Sequence, residues 1–475
     1  MALITQYLTI HPLNRDYFLM VNSLSGAVDI IDNDDKSNIE LLTHGRDPKD
    51  INNQDLIATL RERGYLFENA QEEFATLQKI KEISENLIDK SENEISFVIC
   101  PTLACNLRCT YCFEPEESRR DTKVMTTAQV ENIFQIIDQI ITERKPCHSE
   151  ISLFGGEPLL PSTYAINKEI FRLASLRKMS IDIQTNGTHI SDYIDLIKEY
   201  QGIIDIALQI TLDGVRDVHD RRRFRANKSG TFEKICEGID ALLEAGVHVY
   251  VRVNLDRGNI ERLHEFIGFI VAKGWNKKEN FYCDVAPVSD NHAKGAVPDF
   301  MPENEIVRRI GELFPDYSED GNFFRLRLFR VLHHVNEVLK LNSKVDKILF
   351  RFHYCEANIM QFYVFAPDGY IYPCPESTGN QKCRIGSFDP HLEFYPEQIR
   401  KWQGRTVLRI PKCRKCKVAL FCGGGCAMAA INANNNIDDP VCNNAEEVLA
   451  EYIQSIRQKI IAKYGSVTSS ASDVF

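Results

Sequence analysis

The chain is 475 residues long, 44% apolar and 26% charged, which excludes wholesale disorder and a fibrous protein and calls for several compact cores. Its net charge of −11 is uneven: residues 1–95 carry 18 Asp and Glu against 9 Lys and Arg, an acidic front that disfavours nucleic-acid phosphates. No run approaches ~18 uninterrupted apolar residues, and the start "MALITQYLTI" has no basic segment followed by an apolar core, so neither a membrane span nor a secretory signal is expected. A cytoplasmic setting follows, where fifteen cysteines point to metal binding or catalysis more than to disulfides.

Residues 17–32, "YFLMVNSLSGAVDIID", read as two short strands joined by a turn at Ser23–Gly26. "SNIELL" and "DLIATLRERG" place apolar residues three or four apart, as helices do, and "YLFE" reads as a returning strand. The expectation for 1–90 is a winged-helix-like α+β domain, with a polar helix or linker over 69–94. From 91 to 300, six β-branched runs begin near residues 95, 150, 180, 204, 248 and 281 and alternate with amphipathic helical stretches. That pattern predicts a parallel sheet of βα units. Gly155, Asn186, Asp213 and Asn254 recur at strand C-terminal ends, which favours a partial (β/α)6 TIM-like barrel with its site at that edge. Residues 301–352, including "FFRLRLFRVLHHVNEVLKL", read as a helical bridge. A loop-rich, cysteine-dense region spans 353–465, and 466–475 reads as a frayed tail.

Two cysteine groups carry the chemistry. "CNLRCTYC" places Cys105, Cys109 and Cys112 on one loop after the first barrel strand. Random placement gives ~0.015 such triplets in a chain of this composition. Three thiolates with no fourth nearby leave one iron of a cubane uncapped, so that a small chelating molecule can bind it; a zinc site of three cysteines and a distant histidine is the alternative. The second group is Cys413-x2-Cys416-x5-Cys422-x3-Cys426, followed by Cys442 and preceded by Cys355 and Cys374. Its random expectation is ~0.0005, and structural zinc is again the alternative.

The first motif, with Tyr111 just before its last cysteine, resembles the cluster motif of radical S-adenosylmethionine (SAM) enzymes. "FGGEP" at 154–158, "QTNGT" at 184–188 and "TLDG" at 211–214 match three further strand-end motifs of that family in register. The resemblance implies a 4Fe-4S cluster on Cys105, Cys109 and Cys112, with SAM contacts from Gly155, Gly156, Glu157, Asn186, Thr211 and Asp213. It also implies reductive cleavage of SAM to a 5'-deoxyadenosyl radical that takes hydrogen from substrate, inside a barrel that excludes water. Arg252, on a strand, is expected to pair with a SAM carboxylate, because a buried arginine needs an anion. His219 and the run Arg221–Arg225 lie where the family often has His and Arg near SAM or substrate; a solvated basic loop is the bland reading.

The seven later cysteines resemble the SPASM extension of peptide-modifying radical SAM enzymes. That resemblance implies two auxiliary 4Fe-4S clusters, making three in all. Cys413, Cys416, Cys422 and Cys442 would hold one, and Cys355, Cys374 and Cys426 the other, which Cys383 either closes or leaves open to a substrate group. Cys100, Cys147, Cys236 and Cys283 are left over; Cys283, in the last barrel strand, is a candidate to face the cavity. The front unit resembles a domain that recognises the leader of a ribosomally made precursor peptide by adding it as a strand, with "YFLMVN" the candidate edge; a structural cap is the alternative.

The expected function is therefore a crosslinking peptide maturase (thioether, carbon-carbon or ether) that binds a precursor peptide and takes electrons from a reducing partner such as flavodoxin or ferredoxin. Neither nucleic acid nor membrane is expected as a partner. A formylglycine-generating sulfatase-type maturase, a peptide epimerase and a non-catalytic metal-binding scaffold are the alternatives.

Overall fold

A computed structural model describes residues 2–91, 93–290, 297–315, 323–327, 329, 331–332 and 350–464. The front of the chain forms β1 (Leu3–Ile4), β2 (Leu8–Pro12), β3 (Tyr17–Asn22), β4 (Val28–Asp32), α1 (Asn33–Thr43), α2 (Gln54–Glu62), β5 (Leu66–Phe67) and α3 (Ala70–Ser91). Its antiparallel sheet has the order β2-β3-β4, while β1 pairs with β5. Helix α1 starts where the Asp32 side chain accepts the Asp35 N–H, which caps an otherwise unpaired donor. The expected hairpin turn falls between β3 and β4. "YFLMVN", however, is β3, the central strand, with both of its edges paired. The strand missed in the sequence is β2, "LTIHP", whose Pro12 and buried polar Thr9 and His11 disguise it. Of the two edge strands, β2 meets the last helix, Ala445–Tyr464, and β4 takes a hydrogen bond from Arg63 on its Val28 carbonyl at 3.1 Å.

This unit is not loosely tethered. Leu24, Phe67 and Leu77 share an apolar cluster with Phe352, Val407 and Leu420 of the cysteine-rich region. The Gln6 amide donates to the Arg414 carbonyl at 2.9 Å, and the Ser23 hydroxyl to the Lys417 carbonyl at 2.5 Å.

Six parallel strands follow in sequence order: β6 (Glu94–Ile99), β7 (His148–Leu153), β8 (Ser180–Thr185), β9 (Ile206–Thr211), β10 (His248–Leu255) and β11 (Phe281–Pro287). Each pairs with its successor through a helical crossover, the arrangement that curls a βα sheet into a partial barrel. The crossover helices bury one stripe each: the helix at Thr127–Arg144 buries Val130, Ile133, Phe134 and Ile137, and opens with a reciprocal Thr126/Gln129 cap. Strand interiors such as Ile181, Ile183, Val249 and Val251 are closed to solvent, as expected of strands covered on both faces.

Two additions extend the sheet. β12 (Phe324–Leu326) lies parallel to β11, so the expected helical bridge contains a strand. The reason is visible in "FRL": Phe324 and Leu326 are buried, while Arg325 between them pairs with Asp284 of β11 at 2.8 Å. The bridge does hold a helix, Glu303–Leu313; the stretch 333–349 lies outside the described residues, as does the expected tail. On the other side, β13 (Phe362–Phe365) runs parallel to β6 and leads into antiparallel β14 (Tyr370–Tyr372), β15 (Gly386–Ser387) and β16 (Glu393–Phe394). The cysteine-rich region is thereby continuous with the barrel. No helix among the described residues is long and apolar enough to cross a membrane.

Candidate active site

A cavity of about 420 Å³ opens at the C-terminal ends of the barrel strands, lined on one side by Cys105, Cys109 and Cys112 and on another by Cys355, Cys374 and Cys426. The first three sit on the loop after β6, which lies directly against the end of β7. The Gly156 and Glu157 N–H groups donate to the carbonyls of Thr102 and Ala104 at 3.3 and 2.8 Å. A Cβ on Gly155 would stand 2.3 Å from the Thr102 carbonyl, and one on Gly156 would stand 2.2 Å from that of Leu103. The Gly-Gly pair is therefore required by backbone contact with the cysteine loop.

Glu157 is fully buried and already committed. One carboxylate oxygen accepts from the Thr185 hydroxyl and the Leu159 N–H at 2.6 and 2.9 Å, and the other from the Asn186 N–H at 2.7 Å. It braces β7 against β8. Asn186 in turn donates to Asn106 of the cysteine loop at 2.8 Å. Gly155, Gly156, Glu157, Asn186, Thr211 and Arg252 all line the cavity.

Asp213 does not line it. It is turned into a buried network under Tyr111, whose hydroxyl also accepts from Arg223 at 2.8 Å and from the Asn254 amide at 3.2 Å. The other Asp213 oxygen accepts the Asn254 N–H at 3.0 Å, and Arg222 bridges Asp213 and Asp256. Burial alone would raise the Asp213 carboxyl, but Arg222 and Arg223 outweigh it and hold it below its usual value. His219 is likewise internal: its Nδ1 accepts the Asp213 N–H at 3.2 Å and its Nε2 meets the Thr231 hydroxyl at 3.0 Å. Burial and the neighbouring Arg223 push it down to about 4, so it is a neutral brace away from the cavity. Of the basic run, Arg221 is exposed, Arg222 is paired inward, and Arg223 alone lines the cavity.

Arg252 also reaches the cavity. Its Nε donates to the Asn254 side chain at 2.8 Å, and among the described residues no acceptor holds its Nη groups. Burial depresses its basicity. Glu114 stands two residues after Cys112 with one buried carboxylate oxygen unpartnered, and burial raises it to about 7.

In the C-terminal region, Cys413, Cys416, Cys422 and Cys442 form one mutually interacting set, and Cys355, Cys374 and Cys426 another. Burial pushes the Cys374, Cys413, Cys416, Cys422 and Cys426 thiols up, to about 11 for Cys413 and about 12 for Cys422 and Cys426. Backbone N–H groups after Cys374 and Cys426 point at their sulfurs and offset part of that burial penalty. The run Gly423–Gly425 threads between the two sets. A Cβ on Gly423 would lie 2.4 Å from the His353 carbonyl, and one on Gly425 would lie 2.0 Å from that of Val441.

Cys383 joins neither set. It is buried in the core with its sulfur 3.7 Å from that of Met428, and it does not line the cavity. Cys283 is also buried away from the cavity: it stands in register with Val251 on the helix-covered face of the sheet, whereas the neighbouring Arg252 lines the cavity. Cys100 and Cys236 are core residues and Cys147 is exposed.

Arg405 escaped the sequence reading, since nothing in "QGRTVLRI" marks it. It is 1% exposed, and its guanidinium donates to main-chain carbonyls of Asp439, Gly424 and Gly425 at 3.2, 2.9 and 3.0 Å and to that of Ile437. The thiols of Cys426, Cys413 and Cys355 act on it electrostatically. It thus stands between both sets. Glu376, two residues after Cys374, lines the cavity and was also unmarked in the sequence.

The donor set suits clusters. Among the described residues no three His, Cys, Asp or Glu side chains converge as on a single metal ion, whereas cubane thiolates bind different irons and stand further apart. The Gly155–Gly156 cradle and the unheld Nη groups of Arg252 leave room and charge for a carboxylate-bearing ligand beside Cys105, Cys109 and Cys112.

Residues 99–270 match the model of the Radical SAM superfamily, so the barrel is a radical SAM domain and the protein is an enzyme; that domain implies a 4Fe-4S cluster and SAM. Among similar proteins, a cysteine-type anaerobic sulfatase-maturating enzyme of Clostridium novyi is 25% identical over 389 residues, 78% of this chain and 96% of that protein. The radical SAM cyclopropyl synthase TigE of Paramaledivibacter caminithermalis is 21% identical over 491 residues, 97% of each chain. The crystal structure of Streptococcus suis SuiB bound to precursor peptide SuiA matches with a TM-score of 0.55 at 16% identity, over 92% of this chain and 98% of that one.

Proposed function

We propose that this enzyme binds a ribosomally made precursor peptide, abstracts a hydrogen atom from its core, and installs an intramolecular crosslink. The observation that carries the reading is the shared cavity: the Cys105–Cys112 loop and the Cys355, Cys374 and Cys426 set face the same space. A peptide residue held there lies between the point of hydrogen abstraction and a second redox site that can take the electron a crosslink must lose.

Cys105, Cys109 and Cys112 would hold the cluster that binds SAM. Cys413, Cys416, Cys422 and Cys442 would hold one auxiliary cluster; Cys355, Cys374 and Cys426 would hold the other, with an iron open to solvent or substrate. When bound, SAM and its cluster supply a primary carbon radical able to break a C–H bond. The chain's own residues do the rest. Gly155 and Gly156 let the methionyl end approach the backbone, Asn186 and Thr211 border it, and Arg252 offers two Nη groups to its carboxylate. Glu157 in the cavity wall and Asp213 behind it fix the strand ends.

The front unit would bind the leader along the edge strand β4, beside the exposed Leu41 of α1. Main-chain hydrogen bonds would supply affinity, and pockets for alternate side chains specificity. SuiB, matched over almost the whole of both chains, was solved with its precursor peptide. The reading is tested by incubating reduced enzyme and SAM with short peptides encoded beside its gene. A product lighter by two hydrogens supports a crosslink; unchanged mass with inverted stereochemistry would show an epimerase instead.

A sulfatase-type maturase is the second reading, favoured by the Clostridium relative. That match covers 78% of this chain, whereas the TigE match covers 97%. Conversion of a client cysteine to a hydrazide-reactive aldehyde would decide for it.

A further inference from the structure

The cysteine loop has two faces. One borders the active-site cavity; the other borders a second hollow of about 650 Å³, lined by Arg108, Arg119, Arg120 and Lys228 together with Glu116 and Cys109. Cys109 lines both. The loop is therefore a thin wall between the reaction chamber and the outside, and its outer face carries four cations against one carboxylate.

That charge runs against the molecule, whose net charge is −11. Nor is it consumed internally. Arg120 is exposed and, among the described residues, pairs only with Glu116 one helical turn away, and Lys228 lies over the Phe224 ring, 4.3 Å from its centroid. Arg108 is tied down by donating to the Cys105 and Leu107 carbonyls at 2.9 and 2.7 Å. Arg119 acts electrostatically on Cys109 and Cys112. The hollow is wide and its cations are spread around the rim, which suits a macromolecular surface better than a single small anion.

We infer that this face is the docking site of an acidic one-electron carrier protein that reduces the cluster on Cys105, Cys109 and Cys112. The inference rests on the cluster assignment proposed above. A chamber built to keep solvent from a carbon radical must still admit electrons, and electron transfer weakens steeply with distance, so entry belongs where the cluster ligands come nearest the exterior. The step moves one electron: the carrier is oxidised by one, the cluster is reduced by one, and no bond or proton changes hands. Such encounters bury little surface, typically less than about 1,200 Å², and depend on charge for their rate.

The test uses anaerobic holoenzyme and stopped-flow bleaching of its visible absorbance, with reduced flavodoxin as the acidic carrier and dithionite as a small donor. The double variant Arg120→Glu/Lys228→Glu changes exposed side chains outside the active site. The expected result is at least a tenfold lower second-order rate with flavodoxin at low salt, a much flatter salt dependence, and an unchanged dithionite rate and iron content. In the wild type, added salt must slow reduction by flavodoxin more than reduction by dithionite, which tests the idea without any variant. Equal flavodoxin rates in variant and wild type would overturn the docking site, as would equal slowing with both donors. Failure of the cluster assignment looks different: Cys109→Ala would then leave the iron content intact.

Discussion

The Tyr111 hydroxyl donates to Asp213 Oδ2 at 2.5 Å, joining the cysteine loop to the end of a barrel strand 102 residues later. Around that bond Arg223 and the Asn254 amide donate to the Tyr111 hydroxyl oxygen. The loop is thus positioned by a buried polar hub as well as by its backbone contacts. Tyr111→Phe keeps the ring but strands Asp213 and Arg223 without their shared partner. Leaving a buried polar group unsatisfied costs about 1–3 kcal/mol, so the variant should melt several degrees lower and bind SAM more weakly, as read by calorimetry on the holoenzyme.

Gly156→Ala brings a methyl group to 2.2 Å from the Leu103 carbonyl and must displace the loop that bears Cys105. The three-cluster reading implies about twelve irons per chain. The variant should hold about eight, having lost one cubane, with the C-terminal sites intact by iron and sulfide analysis. Retention of full iron and SAM binding would contradict the close-contact account.

Cys374 and Cys383 are nine positions apart yet face different surroundings, one the cavity and the other Met428. Cys374→Ala should cost about four irons per chain. Cys383→Ala should cost none and lower stability only as the loss of a small buried side chain does. Equal iron loss in both variants would make Cys383 a ligand after all.

The leader proposal predicts that Leu41→Asp weakens binding of a fluorescent leader peptide at least tenfold while leaving the iron content and melting temperature near wild type. Leu41 is exposed on α1, next to β4, whereas Ile30 packs against the main apolar core and is left unchanged. Anisotropy that does not change would return the front unit to the status of a structural cap.

His219 supplies the pH dependence. Its folded value lies near 4, below the ordinary 6.5, because burial and Arg223 disfavour its charge. A depressed histidine contributes stability above its unfolded value, and that contribution is lost as pH falls from 6.5 through 4. The loss is on the order of 2–3 kcal/mol between pH 7.5 and 4. His219→Gln should flatten the acid limb of a melting-temperature profile; an unchanged limb would remove His219 from the account.

Much of the architecture was legible because short-range signals were strong. The six barrel strands announce themselves as β-branched runs, four of them ending in Gly, Asn or Asp, and the cysteine groups through spacings that chance does not produce. What the sequence hid depends on which way a side chain turns. Asp213 and Glu157 belong to motifs, yet their carboxylates serve neighbouring strands rather than the cavity. Cys383 has a fitting separation from Cys374 and the wrong direction. "YFLMVN" has the composition of an edge, but the short β2 covers it. Arg405 was invisible because its partners are main-chain carbonyls, which carry no residue signature.

The apolar cluster that Leu24, Phe67 and Leu77 form with Phe352, Val407 and Leu420 bears on engineering. A front unit rooted in the core beside Cys413 and Cys416 cannot be swapped like a cartridge to redirect the enzyme to a new leader. A chimera with a foreign front unit would inherit a mismatched seam, and loosening would spread from Leu420 to the adjacent Cys422. Retargeting is better attempted by grafting the exposed faces of β4 and α1, leaving the seam in its native sequence.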